Sequence, residues 1–303
     1  MQRMELRHLR YFVAVAEEEH MTRAAARLFM QQPPLSLQIK ALEQELGVSL
    51  FNRVGKRIQL NAAGKFFLSD ARDILAKADA SVKRIKRFDL GEEGRMRVGY
   101  TSSSALHELT PEIISIFRKS HPLISLEIEE GPAHELLCAL EEERIDAAFV
   151  RSPVTHYPTL ECIGLKEEEM LVAVPIQHPL ATRLDGIDVA ELHNELFILY
   201  GQVHGSGITE MLTQRCREHG FEPQAAQEVP RMMAAIQLVA AGFGICIVPQ
   251  SLGMIQPKNV AYLPFKSRHS VTVPLNLAYR RNVDAQAIKR FLGLSKSLSS
   301  LPP

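Results

Sequence analysis

Long hydrophobic runs are missing from this 303-residue chain. Nowhere does it hold the roughly 18 consecutive apolar residues of a membrane span, and its opening residues are charged and interrupted. A cytoplasmic protein is therefore expected, neither secreted nor membrane-spanning. Cysteine is scarce as well: Cys138, Cys162, Cys216 and Cys246 lie far apart with no C-x-x-C pair, and read as buried thiols. The 11 histidines form no H-E-x-x-H or clustered ligand spacing, so no metal site is expected. No G-x-G-x-x-G, G-x-x-x-x-G-K-[ST] or G-x-S-x-G occurs, which leaves nucleotide cofactors and a nucleophile elbow without support. Ser103, His107 and Asp146 are the residue types of a hydrolytic set, but nothing in the sequence brings them together. The chain is expected to be no enzyme and to carry no cofactor.

Net charge is also absent, because 35 Lys and Arg balance 35 Asp and Glu. The balance hides an asymmetry. Residues 1–88 hold 16 basic against 9 acidic side chains, whereas residues 89–303 hold 19 against 26. A basic first part joined to an acidic remainder implies a polyanionic partner for the first part only.

Within the basic part, Thr22-Arg23-Ala24-Ala25-Ala26-Arg27-Leu28 reads as a short helix capped by Thr22, with Ala25 and Leu28 inward. After a break of four residues a second helix opens on Pro33 in its first turn, where the missing N–H costs nothing. Leu35, Ile39, Leu42 and Leu46 give it an apolar stripe. The outer faces carry Gln32, Ser36, Gln38 and Lys40. Two such helices, packed under a first helix over residues 5–18, form a helix-turn-helix, whose outward polar groups read base edges and hold phosphates. An ordinary helical hairpin would leave the same face merely solvated. The following segment tips the balance: two short strands around a Gly55-Lys56 turn make a basic hairpin from which Arg53, Lys56 and Arg57 project, as in the wing of a winged helix-turn-helix.

Asn61 caps the next helix, expected over 62–88, with Phe67, Ala71, Ile74 or Leu75, Ala78, Val82 and Ile85 along one side. At 1.5 Å per residue it spans about 40 Å. A stripe that long predicts dimerisation, which a palindromic site also requires. Asp89-Leu90-Gly91-Glu92-Glu93-Gly94 forms a hinge by composition.

Beyond the hinge, short apolar strands alternate with helices. Strands are expected over 96–100, 125–130, 147–150, 170–175, 196–199, 245–248 and 271–278. Helices are expected over 106–119, 134–143, 208–219, 231–241 and 284–292. The pattern implies buried, largely parallel sheets arranged as two lobes with a cleft between them. Ser102, Ser103 and Ser104 follow one strand at a helix start, and Pro132, then Ser206, Ile208 and Thr209, occupy two similar places. Helix starts at strand ends gather anions. Arg151 follows the uncharged strand 147–150, so its guanidinium is placed at the rim of the same crevice, suited to gripping a carboxylate. Helix capping and a structural ion pair are the plain alternatives. The convergence points to a small organic acid.

Thr22-Arg23-Ala24-Ala25, Gln32-Pro33-Pro34-Leu35-Ser36, Leu42-Glu43, Leu46-Gly47, Leu50-Phe51, Arg53 and Ala63-Gly64 resemble the signature of LysR-type transcriptional regulators. Arg144-Ile145-Asp146-Ala147, His178-Pro179-Leu180 and 238–245 with Val248-Pro249 look like markers of that family's effector domain. Pro33-Pro34-Leu35-Ser36 and 147–151 are most similar to the branch that controls benzoate, catechol and muconate catabolism. The resemblance implies an α/β protein made of a winged helix-turn-helix in 1–60, a dimerising linker helix in 61–89 and an effector domain in 90–303. That domain would have two lobes like those of periplasmic solute-binding proteins, lobe I in about 94–164 and 270–303 and lobe II in about 165–269. The lobes would hinge near 164–167 and 266–270. It further implies a homotetramer assembled from dimers, which binds palindromic promoter DNA through Thr22, Arg23, Gln31, Gln32, Pro33, Pro34, Ser36, Leu37, Gln38, Lys40, Arg53, Lys56 and Arg57. Such proteins activate or repress, respond to a small aromatic or dicarboxylic acid, and contact RNA polymerase.

By the same resemblance, Ser103 and Arg151 align with residues near the bound acid in muconate-responsive relatives. Ser206 and Ile208 replace a proline and a phenylalanine, and Pro132 replaces a threonine, so a different acid is as well accommodated as muconate. In the DNA-reading segment, Leu37 stands where many relatives have arginine and Gln31 where they have serine or alanine. Asn61 replaces a threonine cap. The opposing reading is an intracellular solute-binding protein whose basic domain docks another protein; it accounts for residues 94–303 but leaves the basic wing unexplained.

Overall fold

A computed structural model describes residues 4–54, 57–183, 185–201, 207–255, 257–266 and 270–300. Two compact units divide the chain, Met1–Arg87 and Phe88–Pro303.

In the first unit, α1 (Leu6–Glu18), α2 (Met21–Arg27) and α3 (Gln32–Leu46) enclose a core of Leu9, Phe12, Val15, Ala24, Ala25, Leu35, Ile39 and Leu42. Small side chains at Ala24 and Ala25 let α2 lie close to its neighbours. Thr22 does not cap α2. The helix starts two residues earlier, with His20 extended as its cap, because Met21 packs against the core and is drawn into the first turn. The Thr22 hydroxyl instead donates to Gln32 Oε1 at 3.0 Å, tying α2 to the start of α3. Pro33 and Pro34 sit in the first turn of α3, as expected, and Gly47 ends it in the left-handed conformation.

β1 (Phe51–Val54) and β2 (Arg57–Leu60) pair antiparallel with Val54 opposite Arg57, so two residues connect them. Glu43 Oε1 accepts the Leu50 N–H at 2.7 Å, which joins α3 to the hairpin. Asn61 caps α4 (Ala62–Asp89): its Oδ1 accepts the Gly64 N–H at 2.8 Å while its amide donates to Ser49 O at 2.7 Å. A Cβ on Gly64 would stand 2.1 Å from Leu50 O, so only glycine lets the helix meet the hairpin here. Along α4 the stripe divides. Phe67, Ala71 and Leu75 pack on the unit's core, whereas Ile74, Val82 and Ile85 are exposed.

In the second unit, β3 (Gly94–Tyr100) pairs parallel with β4 (Ile124–Glu130) and with β5 (Ala147–Val150). Between them lie α5 (Ser102–Ala105), α6 (Leu109–Ser120) and α7 (Ala133–Glu141). The helix expected over 106–119 begins only at Leu109, because Pro111 lacks an N–H and belongs in the first turn of a helix, here α6, and α5 forms separately before it.

The 16-residue β6 (Leu160–Pro175) and β11 (Thr272–Arg280) carry the chain between lobes. The sheets are less parallel than expected: β11 runs antiparallel to β5 and β6, and β6 runs antiparallel to β9 (Cys246–Pro249) and β10 (Val260–Pro264). Strands that pass out of one lobe and return must run in opposite directions, which the local apolar pattern does not show. The pairing skips Leu165, inside the segment expected to hinge, and β6 exchanges β11 for β9 and β10 at Glu169/Met170. Of the other expected hinge, 267–269 lie outside the described residues.

Lobe II is completed by β7 (Leu196–Tyr200), α8 (Ile208–Glu218), β8 (Gln224–Val229) and α9 (Met232–Ala240), with β7 and β8 parallel. The strands at 160–169, 224–229 and 260–264 were not anticipated, because Glu, Lys, Gln and Ala dilute their apolar pattern. The closing α10 (Gln286–Ser299) outruns the expected 284–292 and buries Phe291 edge-on to Phe117, ring centroids 5.0 Å apart, in lobe I. Cys216 and Cys246 are buried as expected; Cys138 is only half-buried and Cys162 is exposed, because it lies on the outward row of β6. Among the described residues, no helix is long and apolar enough to cross a membrane.

Candidate nucleic-acid interface and ligand cleft

In the first unit most of the side chains expected to meet DNA lie at the surface. Gln31, Gln32, Pro33, Pro34 and Lys40 are exposed, Ser36 and Gln38 are half-buried, and Leu37 is 66% exposed. Thr22 is exposed beside Gln32, to which it is bonded. Arg23 is exposed, with its guanidinium bonded to Glu18 O at 2.5 Å. An exposed pair of this kind is weak and exchangeable, so a phosphate can take the cation. Arg57 is exposed on β2, only the backbone of Arg53 is described, and Lys56 lies outside the described residues.

In the second unit a cavity of about 540 Å³ opens between the lobes. Thr101, Ser102, Ser103, Pro132, Arg151, Ile208 and Thr209 line it, so most of the expected effector residues come together there. Ser206 lies outside the described residues. Ser104 is a correction: buried, with its hydroxyl donating to Phe149 O at 2.8 Å, it holds α5 onto β5 and is not part of the lining. Thr209 donates to Tyr200 O at 2.5 Å, and Ser103 Oγ lies 3.3 Å from Thr101 Oγ1.

Arg151 does not sit at the rim. Its side chain is 2% exposed and is ion-paired through Nη2 with Glu168, whose side chain is 6% exposed. Arg151 Nη2 and Nε also donate to Ser103 O at 3.1 and 3.3 Å, and Glu168 Oε1 accepts the Ser251 N–H at 2.5 Å. The skip at Leu165 explains the burial of a carboxylate. Around the skip the buried residues of β6 change from odd-numbered, Ile163 and Leu165, to even-numbered, Glu168, Met170 and Val172. Buried His107 lies in the same electrostatic neighbourhood, and burial pushes its imidazole below the usual range. Its Nδ1 accepts the Leu109 N–H at 3.2 Å, while Asp146 bonds Arg97 N and Arg280. The three residues of the imagined hydrolytic set thus have separate structural tasks.

Sequence reasoning missed the cation that faces the cleft, Arg231. It precedes α9 in lobe II, and its Nη1 donates to Glu130 Oε1 at 2.6 Å, on the last residue of β4 in lobe I. The same oxygen accepts from Ser102 Oγ at 2.6 Å. This bridge spans the two lobes, and the Arg231 side chain is 63% exposed. His134 and Tyr157 add further polar lining, with His134 Nδ1 2.9 Å from the Tyr157 hydroxyl. Burial pushes the Tyr200 hydroxyl far above its ordinary value and the Cys216 thiol up to about 11, so neither ionises near neutrality. Nothing in one strand or helix signals Arg231. It could be found only by knowing that the start of α9 faces the end of β4.

Comparison with known proteins follows the same division. A profile described as bacterial regulatory helix-turn-helix protein, lysR family, matches residues 6–65, and one described as LysR substrate binding domain matches residues 90–298. BenM of Acinetobacter baylyi, an HTH-type transcriptional regulator, is 38% identical over 278 residues, covering 91% of this chain and 90% of BenM. BudR of Raoultella terrigena, also an HTH-type transcriptional regulator, is 36% identical over 289 residues, covering 95% and 99%. Among solved structures, full-length CbnR complexed with its target DNA superposes with a TM-score of 0.82 at 28% identity, covering 98% of this chain and 100% of that one. Full-length BenM superposes with a TM-score of 0.61 at 34% identity, covering 97% and 96%. These relatives are regulators rather than enzymes.

Proposed function

This chain belongs to the LysR family of bacterial transcriptional regulators, and from that premise we propose that it is switched by a small organic acid held between the lobes of its second unit. The α2–α3 face and the β1–β2 hairpin meet promoter DNA. The exposed Val82 and Ile85 of α4 seat a second copy of the chain, and dimers assemble into a tetramer that contacts RNA polymerase. The alternative of a solute-binding protein with a protein-docking domain is not favoured, because the relatives that match along nearly the whole chain are transcriptional regulators.

The observation that carries the acid reading is the bridge from Arg231 to Glu130 and Ser102 across a cavity whose volume suits small ligands. Both arginines lining the cavity are already paired with glutamates, but they differ in accessibility. Arg151 and Glu168 are buried, and separating them leaves an uncompensated charge. Arg231 and Glu130 meet in water and exchange at little cost. A ligand carboxylate therefore takes Arg231, with the Ser102 and Ser103 hydroxyls beside it, and the bridge between the lobes is remade through the ligand. A benzoate-like or dicarboxylic acid fits this description.

Calorimetry of the full-length protein against benzoate, muconate and short aliphatic acids tests the assignment. Saturable binding is expected, weakened at least tenfold in Arg231→Ala and less in Arg231→Lys. Binding that survives Arg231→Ala but vanishes in Arg151→Met would place the carboxylate at Arg151. Absence of binding by any acid would remove the acid reading and leave DNA binding to be judged by its own salt dependence.

A further inference from the structure

We propose that Leu37 is a specificity-determining residue that reads the C5-methyl group of a thymine in the major groove. The inference rests on the DNA-binding reading of α3 and goes beyond it by naming a base and an atom.

The buried residues of α3 are Leu35, Ile39 and Leu42, with Leu46 partly buried behind them. At about 100° per residue these point in one direction, and Leu37 lies nearly opposite their mean. Leu37 therefore stands at the centre of the face turned away from the core, and it is 66% exposed. Pro33, four residues earlier, is exposed on the same face, and Ala41, four residues later, is half-buried. An apolar strip thus runs along the outward face, with Gln32, Ser36 and Lys40 on one flank and Gln38 on the other.

A single exposed leucine usually needs no explanation. Here its position supplies one. When the N-terminal half of a recognition helix enters the major groove, its outward side chains are pressed against base edges. Polar flanking groups can exchange water for bases or phosphates, but leucine has no hydrogen bond to offer. In the major groove the thymine methyl is the apolar group displayed on base edges. Opposite guanine, cytosine or adenine, Leu37 would desolvate a donor or acceptor without replacing its hydrogen bond. Opposite thymine it buries a methyl group, which at the transfer energy of one carbon is about fourfold in affinity.

The test uses the full-length protein and a random-sequence duplex library. Sites selected by the wild type should share a thymine in each half-site. Replacing that thymine with deoxyuridine, which removes only the methyl, should weaken binding about fourfold. In Leu37→Ala the thymine and deoxyuridine sites should bind alike. In Leu37→Arg the selected base should move to guanine, which offers arginine two acceptors. The proposal is overturned if the wild type binds both sites equally, or if Leu37→Ala keeps the full methyl dependence. Failure to select any duplex would overturn the DNA-binding reading as well, which separates the two. Because Leu37 is exposed, neither substitution should disturb folding, and unchanged melting of both variants checks this.

Discussion

Replacing Glu168 by glutamine should destabilise the protein far more than its near-identical shape implies. Glutamine can keep a carbonyl oxygen toward Ser251 N, but it then turns an amide NH₂ toward Arg151 Nη2, donor against donor. Arg151 is left with Ser103 O as its partner, and its Nη1 has no partner among the described residues even in the wild type. A guanidinium cannot shed its proton, so the charge stays buried and uncompensated. Breaking such a pair costs about 3–5 kcal/mol, a large part of the ~5–15 kcal/mol that holds a domain together. For a unit of this size the melting temperature should fall by about 6–20 °C. Arg151→Met should cost a similar amount, because it leaves the Glu168 carboxylate buried without its partner. The double variant Arg151→Met/Glu168→Leu should recover most of the loss. Scanning calorimetry and urea denaturation of the full-length variants provide the cycle. A cost below ~1 kcal/mol for Glu168→Gln, or a double variant costing the sum of the singles, would show that the pair is not the energetic unit described.

Two further expectations concern positions where the local structure is under constraint. Phe29 sits between α2 and α3 with φ of 54° and is 98% exposed, so its ring contributes little packing while its backbone occupies a region costly for L-residues. Phe29→Gly should stabilise the first unit by about 0.5–1 kcal/mol, read as a higher melting temperature; an unchanged or lower one would mean the strain is not paid in the native state. His107 titrates below its ordinary 6.5, first because it is buried, with Glu168 and Glu108 opposing and Arg151 and Lys166 reinforcing the shift. The unfolded chain therefore takes up this proton before the folded one does, so the stability due to the neutral ring is complete above pH 6.5 and declines as pH falls from there toward the lower folded value. His107→Asn, which can keep an acceptor for the Leu109 N–H, should flatten that part of the stability profile, and an equal slope in wild type and variant between pH 7 and 5 would refute the assignment.

How much of the molecule was legible from the chain alone can be judged element by element. The spacing of Leu35, Ile39 and Leu42, the Pro33-Pro34 start and the Asn61 cap are local signals, and each produced the expected structure because neighbours in sequence suffice to satisfy it. The charge division between the two parts is likewise a property of composition. Alternation of helices with apolar strands announced the α/β second part, though not its antiparallel crossing strands, whose polar residues hide the period. Residues 102–103, 132 and 208–209 were brought to one cavity as their places at strand ends implied.

Only the tertiary structure decided which charges face the ligand space. Arg151 looked available because nothing near it in sequence opposes it; its partner Glu168 arrives on another strand, turned inward by the one-residue skip at Leu165. Arg231 looked like an ordinary helix start, and 101 residues separate it from the Glu130 that it meets across the cleft. Helices, caps and stripes follow from contacts a few residues apart, which the order of the chain prescribes. The sign and accessibility of a charge in a cleft depend on residues far apart in sequence, and these become neighbours only when the lobes are assembled.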